Sequence, residues 1–334
     1  MLAPLYILVL LAKGHKMTCQ TCNIPAKKFG RDRKGQQRYR CPQCHKTFIE
    51  PQPKPLGDMI LAEEKAMSVL QHLVEGCSVR TTSRITGVHP RTILNLLSLA
   101  GEKCEQLMNE RIHGVRVKDV QCDELWGYVG MKEKTKVKKG RDEITVGDAY
   151  TFVAIERHSK LVLAWHLGRR AERDTVAFTE KLAAATQGSF QITTDGFAPY
   201  RDAVVLSLGA QGVEFAQLVK LYSANPESET RYSPAECIGC KKVPIFGNPD
   251  MSKVSTSHVE RQNLTMRMQM RRLTRLTNAF SKKWEKLYAM LALYFAWYNF
   301  VRVHQTLRVT PAMEAGLTDH IWTVPELLGF AVIS

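Results

Sequence analysis

The segment QCDELWGYVG, residues 121–130, sets two acids, Asp123 and Glu124, inside an apolar run that starts at Val115 and ends at Val129. Carboxylates in a core-like strand carry a desolvation cost unless something pairs with them. Two more acids stand in suggestive places: Asp195 ends the strand-like FQITTD, and Glu260 lies near the start of the helical HVERQNLTMRMQMRRLTRLTNAF. If the strands carrying Asp123 and Asp195 pair in parallel, the two acids lie side by side, and a helix packed on that sheet brings Glu260 to them. Such a group of hard oxygen donors selects Mg²⁺ or Mn²⁺. Two such ions, roughly 4 Å apart, activate a water or a 3′-hydroxyl and stabilise the leaving oxygen of an in-line phosphoryl displacement. Strand alternation turns Glu124 to the face opposite Asp123, so only one of the two is expected at the site. Taken singly, Asp195 also reads as a strand-ending Asp-Gly turn, and Glu260 as a first-turn acid favoured by the helix dipole.

The elements that must position these acids follow from periodicity. Residues 115–129 read as a first strand, and 150–167 as strand, turn, strand. Residues 172–186 are helical, 190–195 form a strand, the stretch from Ala198 is helical, and 214–222 form a fifth strand. Residues 222–257, rich in Pro, Ser, Gly and Lys, read as an inserted loop with its own Cys237-x-x-Cys240 pair. Residues 258–300 read as one or two long helices, with Leu273, Leu276, Phe280, Trp284 and Leu287 as the core stripe.

A second chemistry lies near the start. Cys19-x-x-Cys22 and Cys41-x-x-Cys44 offer four thiolates for one structural Zn²⁺. Phe29, Tyr39 and Phe48 are placed to cover the metal, and the Lys and Arg between the pairs can touch phosphate. His45 reads as a surface residue. For the Cys237/Cys240 pair, a further zinc site needs Cys77, Cys104, Cys122, His258 or a second chain. A zinc deaminase is excluded, because His258-x-Glu260 follows its cysteine pair instead of preceding it.

Residues 78–99 carry a helix-turn-helix pattern: a short helix, Gly87, then Pro90 opening a second helix. Ile85, Val88, Ile93, Leu96 and Leu97 form its expected core. Arg84, Arg91 and Asn95, with His89 and Thr92, face outward for a groove or phosphates. On the helix after Glu260, Asn263, Arg267, Arg271 and Arg275 share the Glu260 face by three- and four-residue spacing and make a track for DNA phosphates. His258 reads either as a contact to the scissile phosphate or as a helix cap.

Together, the cysteine pairs, the helix-turn-helix, DELWGYVG, AIERHSKLVLAWHLG, TTDGFAPY and HVERQNLTMRMQMRRLTR resemble the DDE transposases of the bacterial insertion-sequence-one family and its relatives. The resemblance covers residues 17–310. It implies an N-terminal zinc ribbon, an all-α helix-turn-helix and an α/β RNase H-like catalytic domain. It also implies Asp123, Asp195 and Glu260 as the metal-binding triad, and metal-dependent strand cleavage and transfer at element ends with no covalent protein intermediate. Partners would be double-stranded DNA at element ends and targets, bound by a homo-oligomer, dimer or higher, in the bacterial cytoplasm at the nucleoid. The segment from Asp195 to Glu260 is long for this family, and the insert accounts for the excess. The alternative function is a DNA-binding regulator with the same modules and an inactive RNase H-like domain.

The expected organisation is a 1–16 extension or mis-set start, a zinc ribbon with linker at 17–57, and a helix-turn-helix domain at 58–112. A catalytic domain at 113–310, with the insert at about 222–257, and a 311–334 tail complete it. With 47 Lys plus Arg against 32 Asp plus Glu, the chain carries a net +15, which points to a polyanionic partner. Nine cysteines, four of them in two close pairs, fit metal binding in a reducing compartment better than a disulfide framework. The N-terminal apolar run is too short to span a bilayer, and no later segment is long and apolar enough to do so.

Overall fold

The computed structural model describes residues 17–33, 35–49, 54–223, 237–274 and 277–330. The 1–16 extension, Arg275, Leu276, residues 224–236 of the insert and the last four residues therefore lie outside the described residues. The chain divides into two compact units, Met1–Lys54 and Pro55–Ser334.

In the first unit, β1 (Lys27–Arg31), β2 (Gln37–Arg40) and β3 (Thr47–Ile49) form an antiparallel sheet in that order. Each cysteine pair sits in a tight turn of the same design. The N–H of Asn23 donates to the Cys19 carbonyl, and that of His45 to the Cys41 carbonyl. Asn23 and His45 both take positive φ, 53° and 56°, a conformation that Asn and His tolerate better than most residues. His45 thus has a backbone role. Phe29 is exposed and lies under the guanidinium groups of Arg38 and Arg40, while Tyr39 stacks with Phe48.

The second unit opens with α1 (Glu63–Val74), α2 (Val79–Thr86) and α3 (Pro90–Arg111). Ser78 caps α2 by accepting from the Thr81 N–H, left-handed Gly87 stops it, and Pro90 starts α3 after His89 Nδ1 accepts from the Arg91 N–H. Val88, Ile93, Leu96 and Leu97 are buried as expected, but Ile85 is 57% exposed; Thr82 takes the inward position on α2. A two-residue strand, β4 (Val115–Arg116), then leads into β5 (Asp119–Val129), followed by α4 (Glu133–Lys138), β6 (Gly147–Glu156), β7 (Val162–Gly168) and α5 (Glu172–Ala185). Next come β8 (Thr186–Gln187), which pairs with β4, then β9 (Gln191–Asp195), α6 (Tyr200–Leu208), β10 (Glu214–Tyr222) and β11 (Cys237–Phe246). The chain closes through α7 (Ser257–Gln269), α8 (Trp284–Phe300), α9 (Pro311–Glu314) and α10 (Val324–Leu327).

The central sheet has the order β11-β10-β9-β5-β6-β7. β5, β6 and β7 are antiparallel neighbours, whereas β9 runs parallel to both β5 and β10. α5 and α6 cover one face, where Phe152, Phe178 and Tyr200 meet. α7 and α8 cover the other, where Trp165 packs on Tyr288 and Phe295. The successive residues Trp165 and His166 go to opposite layers, as strand pleating requires. α8 is buried along nearly its whole length between the sheet and α3. Each of its Leu or Phe side chains contributes about 1.5–3 kcal/mol by burial.

Two expectations are corrected here. The insert is not all loop: Cys237–Phe246 pairs antiparallel with β10 as the sheet edge. The one or two long helices expected over 258–300 prove to be two, but the first ends at Gln269, short of Leu273 in the expected core stripe, and the described residues between it and α8 are not helical. The exposed edge of β7 is also managed: Asn299 on α8 is fully buried, accepts from the Val162 N–H at 3.0 Å and donates to the Val162 carbonyl at 2.9 Å. It supplies the ladder partner that an edge strand lacks.

Candidate metal centres

The Sγ atoms of Cys19, Cys22, Cys41 and Cys44 all lie within 4.8 Å of one another, and Cys19 and Cys44 are 3.7 Å apart. A tetrahedron with Zn–S bonds near 2.3 Å has edges of about 3.8 Å, so the set fits zinc. The backbone N–H groups of Cys22 and Thr21 lower the Cys19 thiol to about 6, while Cys22, hydrogen-bonded to Cys44, is pushed up to about 12. Close sulfurs sharing protons in this way are a donor set that a divalent cation can replace those protons in. Cys237 and Cys240 are exposed on β11; among the described residues no third Cys, His, Asp or Glu joins them in a metal-sized group. Cys104 and Cys122, considered above as their partners, are buried in the core.

The acids converge at the end of β9. Parallel pairing of β5 with β9 runs from Asp119↔Gln191 to Cys122↔Thr194 and stops there, which sets Asp123 next to Asp195. β9 ends at Asp195 between β5 and β10, and the carboxyl ends of strands are where α/β sheets place ligands. Asp195 Oδ1 accepts from the Phe197 N–H at 3.0 Å, which fixes its rotamer. On the α7 side, Asn263 Nδ2 donates to Asp123 Oδ2 at 2.9 Å. Glu260 stands one turn before Asn263, accepting from Lys220 Nζ at 2.7 Å and from the Thr256 hydroxyl at 2.5 Å.

Glu124 departs from expectation. Its backbone does alternate: Tyr200 and Arg170 lie on its side, Asn263 on that of Asp123. Yet one carboxylate oxygen each from Asp123, Glu124 and Asp195 lie within 4.8 Å of one another. The reason is the end of β9, which leaves side chains from both faces of β5 free to bend into the same slot. Arg170, from the β7–α5 turn, spans the group, with Nε 3.2 Å from Glu124 Oε2 and Nη2 3.4 Å from Asp195 Oδ2. Its guanidinium also lies 4.2 Å from the Phe197 ring centre.

Burial first, then the charge of Asp195 and more weakly that of Glu260, push Asp123 up to about 6. Burial, then Asp195, push Glu124 up to about 8 against the pull of Tyr200 and Arg170. Burial also raises Asp195, opposed by the Phe197 N–H, Arg170 and Lys220. Carboxylates perturbed by burial and by one another in this way cluster at functional sites. All the donors are hard oxygens, which suits Mg²⁺ or Mn²⁺.

The proposed DNA-contacting residues separate into groups. Arg84, Arg91 and Asn95 are exposed on α2 and α3. Asn263 is buried and committed to Asp123. Arg267 donates to the carbonyls of Trp126 and Leu273, tying α7 to β5 and to the turn that follows. Arg271 is exposed in that turn, past the helix end, so the basic track along a single helix face is lost; Arg275 lies outside the described residues. His258 does not cap α7 with its side chain; its Nδ1 is 3.3 Å from Lys160 Nζ. Sequence reasoning missed Gln121, Arg170 and Lys220, whose partners are all distant in the chain and leave no local signal.

No protein-family description and no curated protein matches the sequence. Among solved structures, the chain is similar to a pre-cleavage Mos1 transpososome, at 12% identity over 50% of this chain and 60% of that one, with a TM-score of 0.18. It is also similar to an Argonaute of Aquifex aeolicus, at 13% identity over 56% of this chain and 30% of that one, with a TM-score of 0.23. The chain thus spans less than two thirds of either protein, and at these scores neither likeness bears on function.

Proposed function

We propose that the chain is a DDE-type DNA transposase with an RNase H-like catalytic unit, acting on the ends of an insertion sequence. The observation that carries this reading is the placement of Asp123 and Asp195 on adjacent parallel strands, with Glu260 on the helix packed above them. Asp123, Asp195 and Glu260 would hold two Mg²⁺ or Mn²⁺ ions, which supply an activated water or 3′-hydroxyl and stabilise the leaving oxygen. Asn263 orients Asp123, and the Phe197 N–H orients Asp195, so both carboxylates are set before any ligand arrives. The exposed Arg84, Arg91 and Asn95, the cysteine-rich unit with its Lys and Arg, and the net charge of +15 support duplex DNA as the partner. Assembly as a homo-oligomer on the DNA belongs to the same reading.

The test is cleavage and joining of a labelled duplex carrying the DNA that flanks the reading frame, with Mg²⁺, run beside a binding assay. Asp123→Asn, Asp195→Asn and Glu260→Gln are each expected to abolish strand cleavage and leave DNA binding intact, because a group used only in the transition state affects turnover and not binding. Cleavage at the parental rate by all three variants would overturn the assignment.

A further inference from the structure

Glu124 is a core residue on one face of β5, opposite Phe152 of β6, and a carboxylate there needs an explanation. Its side chain is 2% exposed, and its Oε1 is buried without a hydrogen-bond partner. The Tyr200 hydroxyl lies on the same side, near enough to pull the Glu124 carboxyl down, but it too is buried and makes no well-formed hydrogen bond. The other oxygen meets only Arg170, a side chain 41% open to solvent. One contact to a half-exposed guanidinium is poor compensation for burying a whole carboxylate, so an ion pair alone does not account for this residue.

We propose that Glu124 is a ligand of the metal centre, giving it a fourth carboxylate, and that Arg170 is the counter-ion which Glu124 and Asp195 release when a divalent cation binds. The inference rests on the metal-centre reading above and extends it to a residue outside the proposed triad. Oxygens of Asp123, Glu124 and Asp195 within 4.8 Å of one another can share one cation at the usual oxygen–metal lengths of about 2.0–2.6 Å. Glu260 stands outside that close group, held by Lys220 and Thr256, and is placed for a second position. The centre then has two parts: Asp123, Glu124 and Asp195 around one cation, and Glu260 with Asp123 toward the other. Released from the carboxylates, Arg170 stays at the mouth of the slot on Phe197, where a DNA phosphate would meet it.

The experiment is Mn²⁺ binding to the full-length, zinc-loaded protein without DNA, by calorimetry and by the electron paramagnetic resonance of free Mn²⁺. Glu124→Gln is expected to weaken binding at least about tenfold, the scale seen when groups around a metal are removed. Arg170→Gln is expected to tighten it severalfold, because the competing cation is gone. Should Glu124→Gln fold poorly, Arg170→Gln still decides: unchanged or weaker Mn²⁺ binding there overturns the exchange. Asp195→Asn separates the two levels. If it weakens binding while Glu124→Gln binds like the parent, Glu124 is only the partner of Arg170 and this inference fails alone. If Asp195→Asn also binds like the parent, the metal centre fails, and this inference with it.

Discussion

Gln121 Oε1 accepts the backbone N–H of His258 at 2.8 Å, and that of Val259 at 3.3 Å. Gln121 lies fully buried on β5, two residues before Asp123 and on the same face of the strand. One amide oxygen thus serves two of the free N–H groups at the start of α7. It also fixes where α7 begins along β5, and therefore where Glu260 and Asn263 arrive. Gln121→Ala should cost about 1–3 kcal/mol, the usual scale for leaving buried donors without a partner. Cleavage should fall further than that loss implies, because the register of α7 on β5 is no longer held. Urea melts and cleavage rates at a temperature where the variant is fully folded would measure both. A variant with parental stability and rate would show that Val259 and Met266 packing, with the Asn263 and Arg267 hydrogen bonds to β5, positions the helix without Gln121.

The cysteine-rich unit has little else to hold it. Every residue of β1 is exposed, and the three strands are short. A sheet with no core of its own folds only when metal binding supplies the free energy. Zinc analysis under reducing conditions should find one ion held by Cys19, Cys22, Cys41 and Cys44. Cys41→Ser, or a strong chelator, should unfold residues 17–49 and expose them to protease, while the second unit keeps its melting transition. Retention of dispersed amide resonances from residues 17–49 in zinc-free protein would refute this.

Much of the fold was legible, and each failure has a physical reason. The alternation in 150–167 and 214–222 gave β6, β7 and β10, because those strands bury one or both faces. CIGCKKVPIF, the β11 sequence, reads as loop because it carries Gly, Lys and Pro, residues an edge strand tolerates and a central strand does not. The helix end at Gln269 was hidden because RMQMRRLTRLTN keeps a helical period with no Gly or Pro; Arg267 closes the following turn through the Leu273 carbonyl, a contact periodicity cannot show. The adjacency of Asp123 and Asp195 was legible only on the condition that their strands pair in parallel, and the β5–β9 register meets that condition. The entry of Glu124 did not, since it depends on where β9 stops.

Gly101 on α3 faces Ala289 on α8 so closely that a Cβ there would sit 2.6 Å from the Ala289 Cα and 2.7 Å from its carbonyl oxygen. No rotamer change relieves a clash with backbone. Gly101→Ala should therefore push the helices apart and cost about 1–3 kcal/mol, despite the better helix propensity of Ala. Thermal melts would read this as a lower Tm. A stabilised variant would show that the α3–α8 contact yields without loss.

His166 gives the protein a pH dependence of definite sign. It stands on β7 on the α5 side, packed near Phe152, with Nε2 3.1 Å from Asp174 Oδ1. Asp174 also accepts from the Arg169 N–H at 3.2 Å, so this pair shapes the turn that presents Arg170 to the acids. Burial lowers the His166 pKa below its ordinary 6.5; Asp174 pulls it up and Lys181 down, and burial prevails. The native state therefore favours the neutral imidazole. Below pH 6.5 the unfolded chain takes up this proton before the folded chain does, so stability rises with pH in that window. The contribution is complete above 6.5 and is lost as pH falls from 6.5 through the lowered native value. Half-buried His258 and His304 are lowered too and add to the slope, whereas Glu124 and Asp123, raised to about 8 and about 6, oppose it, so the parent alone cannot assign it. His166→Gln, which can still donate to Asp174, removes only the His166 share. Between pH 7.5 and 5, followed by urea titration, the unfolding free energy of that variant minus that of the parent should rise as pH falls, because only the parent loses the His166 contribution. Parallel curves for the two proteins would mean that Asp174 holds the imidazolium as well as water does.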